Sequence, residues 1–231
     1  MSGRIRSRFG TIIPVVLLAC VGCATTRQSA AELNAGLAWV VPAERSQGWP
    51  LATEDAVRLE RVPAVVIAWV PSPAGQGETP YRATRAARES WIAAIEDKLD
   101  RSGLVTRAEG SPPDTFDDGV TVTGLQTLGT NQQADVIVLF GLDAAERRYH
   151  VSWPTRPVYV VDVIEVQTTA RAVGVTPTGR PVFTETQTGF DEGPTRFEDE
   201  VEQASGRAAL NALGDAIVRR LSQISPGRGS R

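Results

Sequence analysis

Few side chains in this 231-residue chain could do chemistry, and they fall into three groups. Two thiols, Cys20 and Cys23, stand near the N-terminus, and the rest of the chain has none. That pattern excludes a disulfide framework and a thiolate zinc site in the body of the protein. His150 is the sole histidine, so no metal triad or helical histidine pair can be assembled, and a Ser-His-Asp set would have to use it as the base. Neither Ser90 nor Ser152 lies in a Gly-x-Ser-x-Gly elbow. Asp143, Asp162 and Glu165 are the carboxylates within strand-like segments that could share acid–base or glycosidase work. The plainer reading makes them solvent-facing strand positions. The third group, Arg147, Arg148, Tyr149, His150, Trp153, Arg156 and Tyr159, mixes cations with aromatics. Tyr, Trp and Arg dominate protein interfaces, so this segment is the candidate partner-binding surface. A proline-bearing loop with its aromatics packed on a sheet rim is the alternative. Gly110 to Gly119 lacks the terminal Gly-Lys of a phosphate loop. No catalytic set, no metal and no non-covalent cofactor is expected.

The formal charge is −3. Arg4, Arg6 and Arg8 lie in an N-terminal stretch that holds no acid. Without that stretch the chain carries 21 basic and 27 acidic groups, a balance of −6. An acidic surface repels phosphate backbones, which argues against nucleic-acid binding. A hydrophobic share of 42% leaves enough apolar chain for one core.

The N-terminus reads as an export signal. Three arginines precede the apolar run Thr11 to Ala19, TIIPVVLLA, which is too short to span a bilayer and is interrupted by Pro14. The run ends in Leu17-Leu18-Ala19-Cys20, which resembles the lipobox of bacterial lipoproteins. The resemblance implies cleavage before Cys20, a diacylglyceryl thioether on its sulfur and acylation of the new amine. Two or more acyl chains hold a protein stably on a bilayer where one does so marginally. Cys23 is the alternative lipidation site. It has the small Gly22 before it, but Cys20 stands where the family places Leu or a similar residue. Val21 follows Cys20, and in Gram-negative lipoproteins an Asp there favours inner-membrane retention. The resemblance therefore implies the outer membrane, facing the periplasm.

Residues 20–60 read as tether and lead-in, with Trp39, Val40 and Val41 as a short edge strand before Pro42. A single domain is expected over 61–224, and 225–231 as a flexible tail. Within the domain, Ala64 to Val70 is an apolar run of strand length. Arg82 to Arg101 carries Trp91, Ile95 and Leu99 at helical spacing, and Gly103 follows as a C-terminal cap. Leu104 to Thr106 can begin another strand, and Val120 to Gln133 is ambiguous between helix and coil. Asp135 to Leu142, DVIVLFGL, predicts a buried strand, followed by a polar stretch. Val158 to Val175 and Pro181 to Gly189 form a long hairpin about Pro177-Thr178-Gly179. Thr195-Arg196-Phe197-Glu198 matches a capping box for a last helix. Val201, Ala204, Ala208, Leu213, Ile217, Leu221 and Ile224 trace the face of that helix. The order predicts an α/β (α+β) domain: a small mixed sheet with a long hairpin and two main helices packed on one face.

This order resembles a group of periplasmic lipoproteins that includes the curli-secretion lipoprotein CsgG, the penicillin-binding-protein activator LpoB and the N-terminal domain of TolB. The matching pieces are AVVIAWV, the helix around Trp91, Ala134-Asp135 with VIVLFG, the hairpin at Thr178-Gly179 and the terminal ALNALGDAIVRRL. Lipoproteins of myxobacteria and leptospires are a second such group. The resemblance implies a non-enzymatic binding or assembly factor for an envelope complex, with a homo-oligomeric ring as a variant. An accessory lipoprotein of a lipid or solute transporter is the alternative, and an envelope hydrolase the third.

Overall fold

The computed structural model describes residues 27–41, 48–54, 58–72, 79–80, 83–153 and 159–226. Cys20, Cys23 and Arg156 lie outside the described residues. The elements in chain order are α1 (Ala30–Val40), β1 (Ala64–Trp69), β2 (Thr79–Pro80), α2 (Arg85–Ser102), β3 (Arg107–Gly110), α3 (Val122–Asn131), β4 (Val136–Trp153), β5 (Tyr159–Val175), β6 (Pro181–Pro194) and α4 (Glu198–Ile224).

The sheet runs β3-β1-β4-β5-β6, with the short β2 paired to β4. β1 is parallel to both β3 and β4, whereas β4, β5 and β6 are antiparallel neighbours. The chain leaves β1 through α2 to β3 on one side, then crosses back through α3 to β4 on the other. Right-handed crossovers in opposite directions put their helices on opposite faces. Accordingly α2 shares one core with α4, built on Val65, Ile67, Phe140, Ile95, Leu99, Leu213 and Ile217. The other face holds a second core of Val66, Ala68, Ile137, Leu139 and Val173 under α1 and α3, from which Leu37 and Leu125 descend. The domain is thus the expected α/β class, with its two long helices together on one face and two shorter ones on the other.

Local side-chain contacts fix the ends of these elements, and Gly103 caps its helix as the sequence suggested. Thr84 caps α2 through its side chain, and Gly103 ends that helix at φ 64°, a left-handed value that costs glycine little. Asp135 ties the second crossover to the first strand: its carboxylate accepts the Ala64 N–H at 2.9 Å and the Arg61 guanidinium.

Three expectations are corrected. Trp39 and Val40 belong to helix α1, not to an edge strand, because Ser29 and Glu32 form a capping box and Leu33, Leu37 and Val40 are buried on one helical face. Thr195 opens a 3-10 turn over Thr195–Phe197, and α4 starts after it with no side-chain cap; the acids Glu198, Asp199 and Glu200 in its first turn meet the positive end of the helix dipole instead. Besides the expected Val201, Leu213, Ile217, Leu221 and Ile224, α4 buries Ser205, Gly206, Ala209, Leu210, Gly214 and Ala216, while Ala208 is exposed. The buried residues in its first half are mostly small, and α4 lies close to β6 there. A Cβ on Gly189 would stand 2.1 Å from the Ser205 carbonyl oxygen.

Candidate functional site

The polar stretch after the DVIVLFGL strand is not a loop. β4 continues through it to Trp153, and every residue from Ile137 to Trp153 has a cross-strand partner in β5. β1 accompanies β4 only as far as Phe140, and β6 accompanies β5 from Pro181 out to Pro194 opposite Val163. β4, β5 and β6 therefore run on past β1 as a three-stranded ribbon, one face of which α4 covers as far as Ile164 and Gly193, and past Val163 β4 and β5 continue as a two-stranded tip. Side chains alternate across it with period two.

That alternation divides the expected patch between two faces. Arg147 and Tyr149 share the face that carries α1 further back, and Arg148 and His150 share the opposite one. The Tyr149 hydroxyl donates to the Glu192 carboxylate of β6, and the Arg147 guanidinium lies 6.0 Å from the Tyr149 ring centroid. The hydrogen bond to Glu192 raises the Tyr149 phenol above its ordinary range. On the other face Arg148 pairs with Glu198 at 2.7 Å and Glu146 at 3.5 Å, pinning the ribbon to the start of α4. Trp153 and Tyr159 pair with each other as the last described residues of their strands. Around these residues the ribbon exposes Phe190 at 55%, Val160 at 61% and Val161 at 37%. Sequence reasoning missed Phe190. Its signal is the alternation of Thr184, Thr186, Thr188 and Phe190 along β6, which marks one face of an exposed strand.

The carboxylates considered for catalysis are not brought together. Asp143 is buried at 1% exposure, 3.3 Å from Arg171 on the next strand. Glu165 lies on the same face but opposite Arg147, four residues further out along β4. Asp162 faces the other way and bonds His150 Nδ1 at 2.6 Å. That pair is exposed on the ribbon, and Ser152, two residues on along the same face, is not among the bonded partners of His150. Among the described residues no group of three His, Cys, Asp or Glu is placed to hold a metal ion.

Two open clefts accompany the ribbon. One of about 440 Å³ lies between α1 and the β5–β6 strands, lined by Trp39, Arg171, Glu32, Glu185 and Thr186 among others. The other, about 660 Å³, separates α2 from α4, with Trp91, Leu210 and Ala87 inside and Glu202, Asp199 and Arg207 at its rim. Burial raises the Glu202 carboxyl above its ordinary value near 4.5, and the neighbouring acids Glu146, Asp199 and Glu198 raise it further. A carboxyl with a raised folded pKa binds more protons folded than unfolded. Its effect on stability is absent below the unfolded pKa and grows unfavourable as pH rises towards the folded one. Glu202→Gln is therefore expected to raise the thermal midpoint at pH 7, with the gain fading as pH falls below about 4.5. Equal midpoint changes at pH 7 and pH 4 would contradict this.

No family model matches the chain, and no curated protein matches it. The expected likeness to the CsgG, LpoB and TolB type is therefore unsupported by these comparisons. Among solved structures, a minor lipoprotein from Acinetobacter baumannii aligns at TM-score 0.34 and 14% identity over 69% of this chain and 91% of that one. A neuraminyllactose-binding hemagglutinin homolog from Helicobacter pylori aligns at TM-score 0.38 and 9% identity, over 77% and 92%. A lipoprotein from Neisseria meningitidis aligns at TM-score 0.28 and 13% identity, over 68% and 98%. At these scores the likeness is partial and carries no statement about function. Among the described residues no helix is long and apolar enough to cross a membrane.

Proposed function

We propose that this chain is a lipid-anchored lipoprotein of the bacterial envelope that works by contact, holding its domain beside the membrane and recruiting a protein partner. The observation that carries the reading is the projecting ribbon. A two-stranded tip with Val160 and Val161 exposed has no neighbour among the described residues to cover its apolar surface, and exposed apolar side chains grouped with Arg and Tyr suit a partner surface. The lipobox at Leu17-Leu18-Ala19-Cys20 supplies the anchor, and Val21 after the cysteine supports the outer membrane, facing the periplasm.

The test has two arms. Cys20→Ala is expected to abolish incorporation of labelled fatty acid and to release most of the protein from washed membranes. Retention that is lost only with Cys23→Ala moves the anchor to Cys23, and fatty acid on neither thiol refutes it. A photo-crosslinking amino acid at Val160 or Val161 is expected to give a discrete adduct with an envelope protein, identified by mass spectrometry. The same probe at exposed Thr127 on α3 should not. Identical adduct patterns from ribbon and α3 positions would refute the contact reading.

A further inference from the structure

The outer edge of the sheet is β6, and its backbone shows which way each residue's polar groups point. The Thr184 N–H donates to Gln28 Oε1 at 2.9 Å, and the Thr184 carbonyl accepts from Gln28 Nε2 at 2.5 Å. A side-chain amide there occupies the place of a neighbouring strand's peptide group, so Thr184 faces outward. Gly189 faces inward: the Ser205 hydroxyl accepts the Thr168 N–H of β5 at 3.0 Å and lies 3.1 Å from the Gly189 carbonyl. The register is regular from Thr184 to Pro194. Outward groups therefore recur every second residue, at Thr186, Thr188, Phe190 and Glu192. The backbone N–H and C=O groups of these four residues have no partner among the described residues.

Natural sheets usually blunt such an edge with lysine, proline, a bulge or a cover. Residues 182–193 of β6 contain no lysine, arginine or proline. The side chains beside the open groups are Thr186, Thr188 and the exposed Phe190, followed by Glu192, with Asp191 on the opposite face. The edge is regular, β-branched, apolar near its middle and acidic at its far end.

We infer that β6 from Thr186 to Glu192 is a β-addition site, taking an extended segment of a protein partner that carries apolar or β-branched side chains on one face and basic residues at one end. Main-chain hydrogen bonds supply affinity in this mode, and alternate side chains supply selectivity. A second copy of this chain is a poor occupant. Paired strands lie about 4.8 Å apart, whereas packed helices need about 8–10 Å between axes. α4 crosses β6 at Gly189 so closely that two copies joined edge to edge would drive their α4 helices together. An acidic edge also complements a basic strand better than it does itself.

The inference rests on the contact reading above, but its test does not use the tip. The purified full-length protein is titrated with the end-blocked peptide Arg-Lys-Val-Thr-Val-Thr-Val. Saturable binding is expected, with amide-exchange protection gained at Thr186, Thr188 and Phe190. The same peptide N-methylated at alternate residues should bind at least about tenfold more weakly, as should a version with Glu-Glu for Arg-Lys. Thr188→Pro removes an outward N–H while leaving the ladder to β5 intact, and prolines are accepted on edge strands. It should keep the fold by circular dichroism and lose binding about tenfold, and Gln187→Glu, which removes no N–H, should keep most of it. Three results would each overturn the inference: no binding at about 1 mM peptide, undiminished binding of the N-methylated peptide, or self-association through β6 in place of peptide binding. Ribbon-tip crosslinks that persist after such a failure would leave the contact reading standing without this site.

Discussion

Gly189→Val is expected to destabilise the domain by about 3 kcal/mol or more, read as a lowered urea midpoint with an unchanged slope. A Cβ at this position would stand 2.1 Å from the Ser205 carbonyl oxygen and 2.5 Å from the Ala209 amide nitrogen. Both are helix backbone atoms, so no rotamer change relieves the overlap, and either α4 or β6 must shift. A shift would also break the bridge in which the Ser205 hydroxyl satisfies Thr168 and Gly189 inside the ladder, leaving buried polar groups unpaired at roughly 1–3 kcal/mol. Gly48 is the control. It has φ 90° but nothing within 4 Å of an added Cβ, so Gly48→Ala carries only the cost of its backbone angle, about 1 kcal/mol. If the two substitutions cost the same, the close approach of α4 to the sheet is wrong.

Phe140→Ala is expected to cost about 3–5 kcal/mol, a large share of the 5–15 kcal/mol typical of a domain. Phe140 is fully buried on the face shared by α2 and α4. It meets Trp69 edge-on at 5.4 Å, and Trp69 in turn lies 5.3 Å from Trp91 of α2. Removing the ring leaves a cavity between rigid strands and releases one wall of the Trp69 site. Tryptophan emission of the folded variant should shift along with the loss of stability. Phe140→Leu should recover most of the stability, because it refills most of the volume. A cost below about 1 kcal/mol would mean that this cluster is not the centre of the core.

These substitutions sit in parts of the chain that differ in how openly they announce themselves. The strands at Ala64–Trp69 and from Val136 onward are legible because a strand buried on both faces must be apolar at nearly every residue. Helix α2 is legible because Ile95 and Leu99 recur at helical spacing on a buried face and Gly103 marks its end. The hairpin about Thr178-Gly179 is legible from its turn residues and the β-branched arms beside it.

The β4 arm of the ribbon was not legible as strand. From Glu146 to Ser152 neither face of β4 is steadily buried, so no period-two apolar signal exists there, and only the pairing with β5 holds the segment extended. The division of Arg147 and Tyr149 from Arg148 and His150 follows from that extension alone. Similarly, Trp39 and Val40 have strand preferences, yet the Ser29–Glu32 capping box and the burial of Leu33 and Leu37 against the sheet decide for helix. The composition and spacing of residues by themselves determined the lipobox pattern, the fold class and the two apolar strands, because each of these is written locally. Which groups of β6 face outward, how closely α4 approaches Gly189, and which side chains share a face of the ribbon were decided only by tertiary structure. Hydrogen-bond direction and the distance between elements depend on residues far apart in the chain, and no local pattern encodes them.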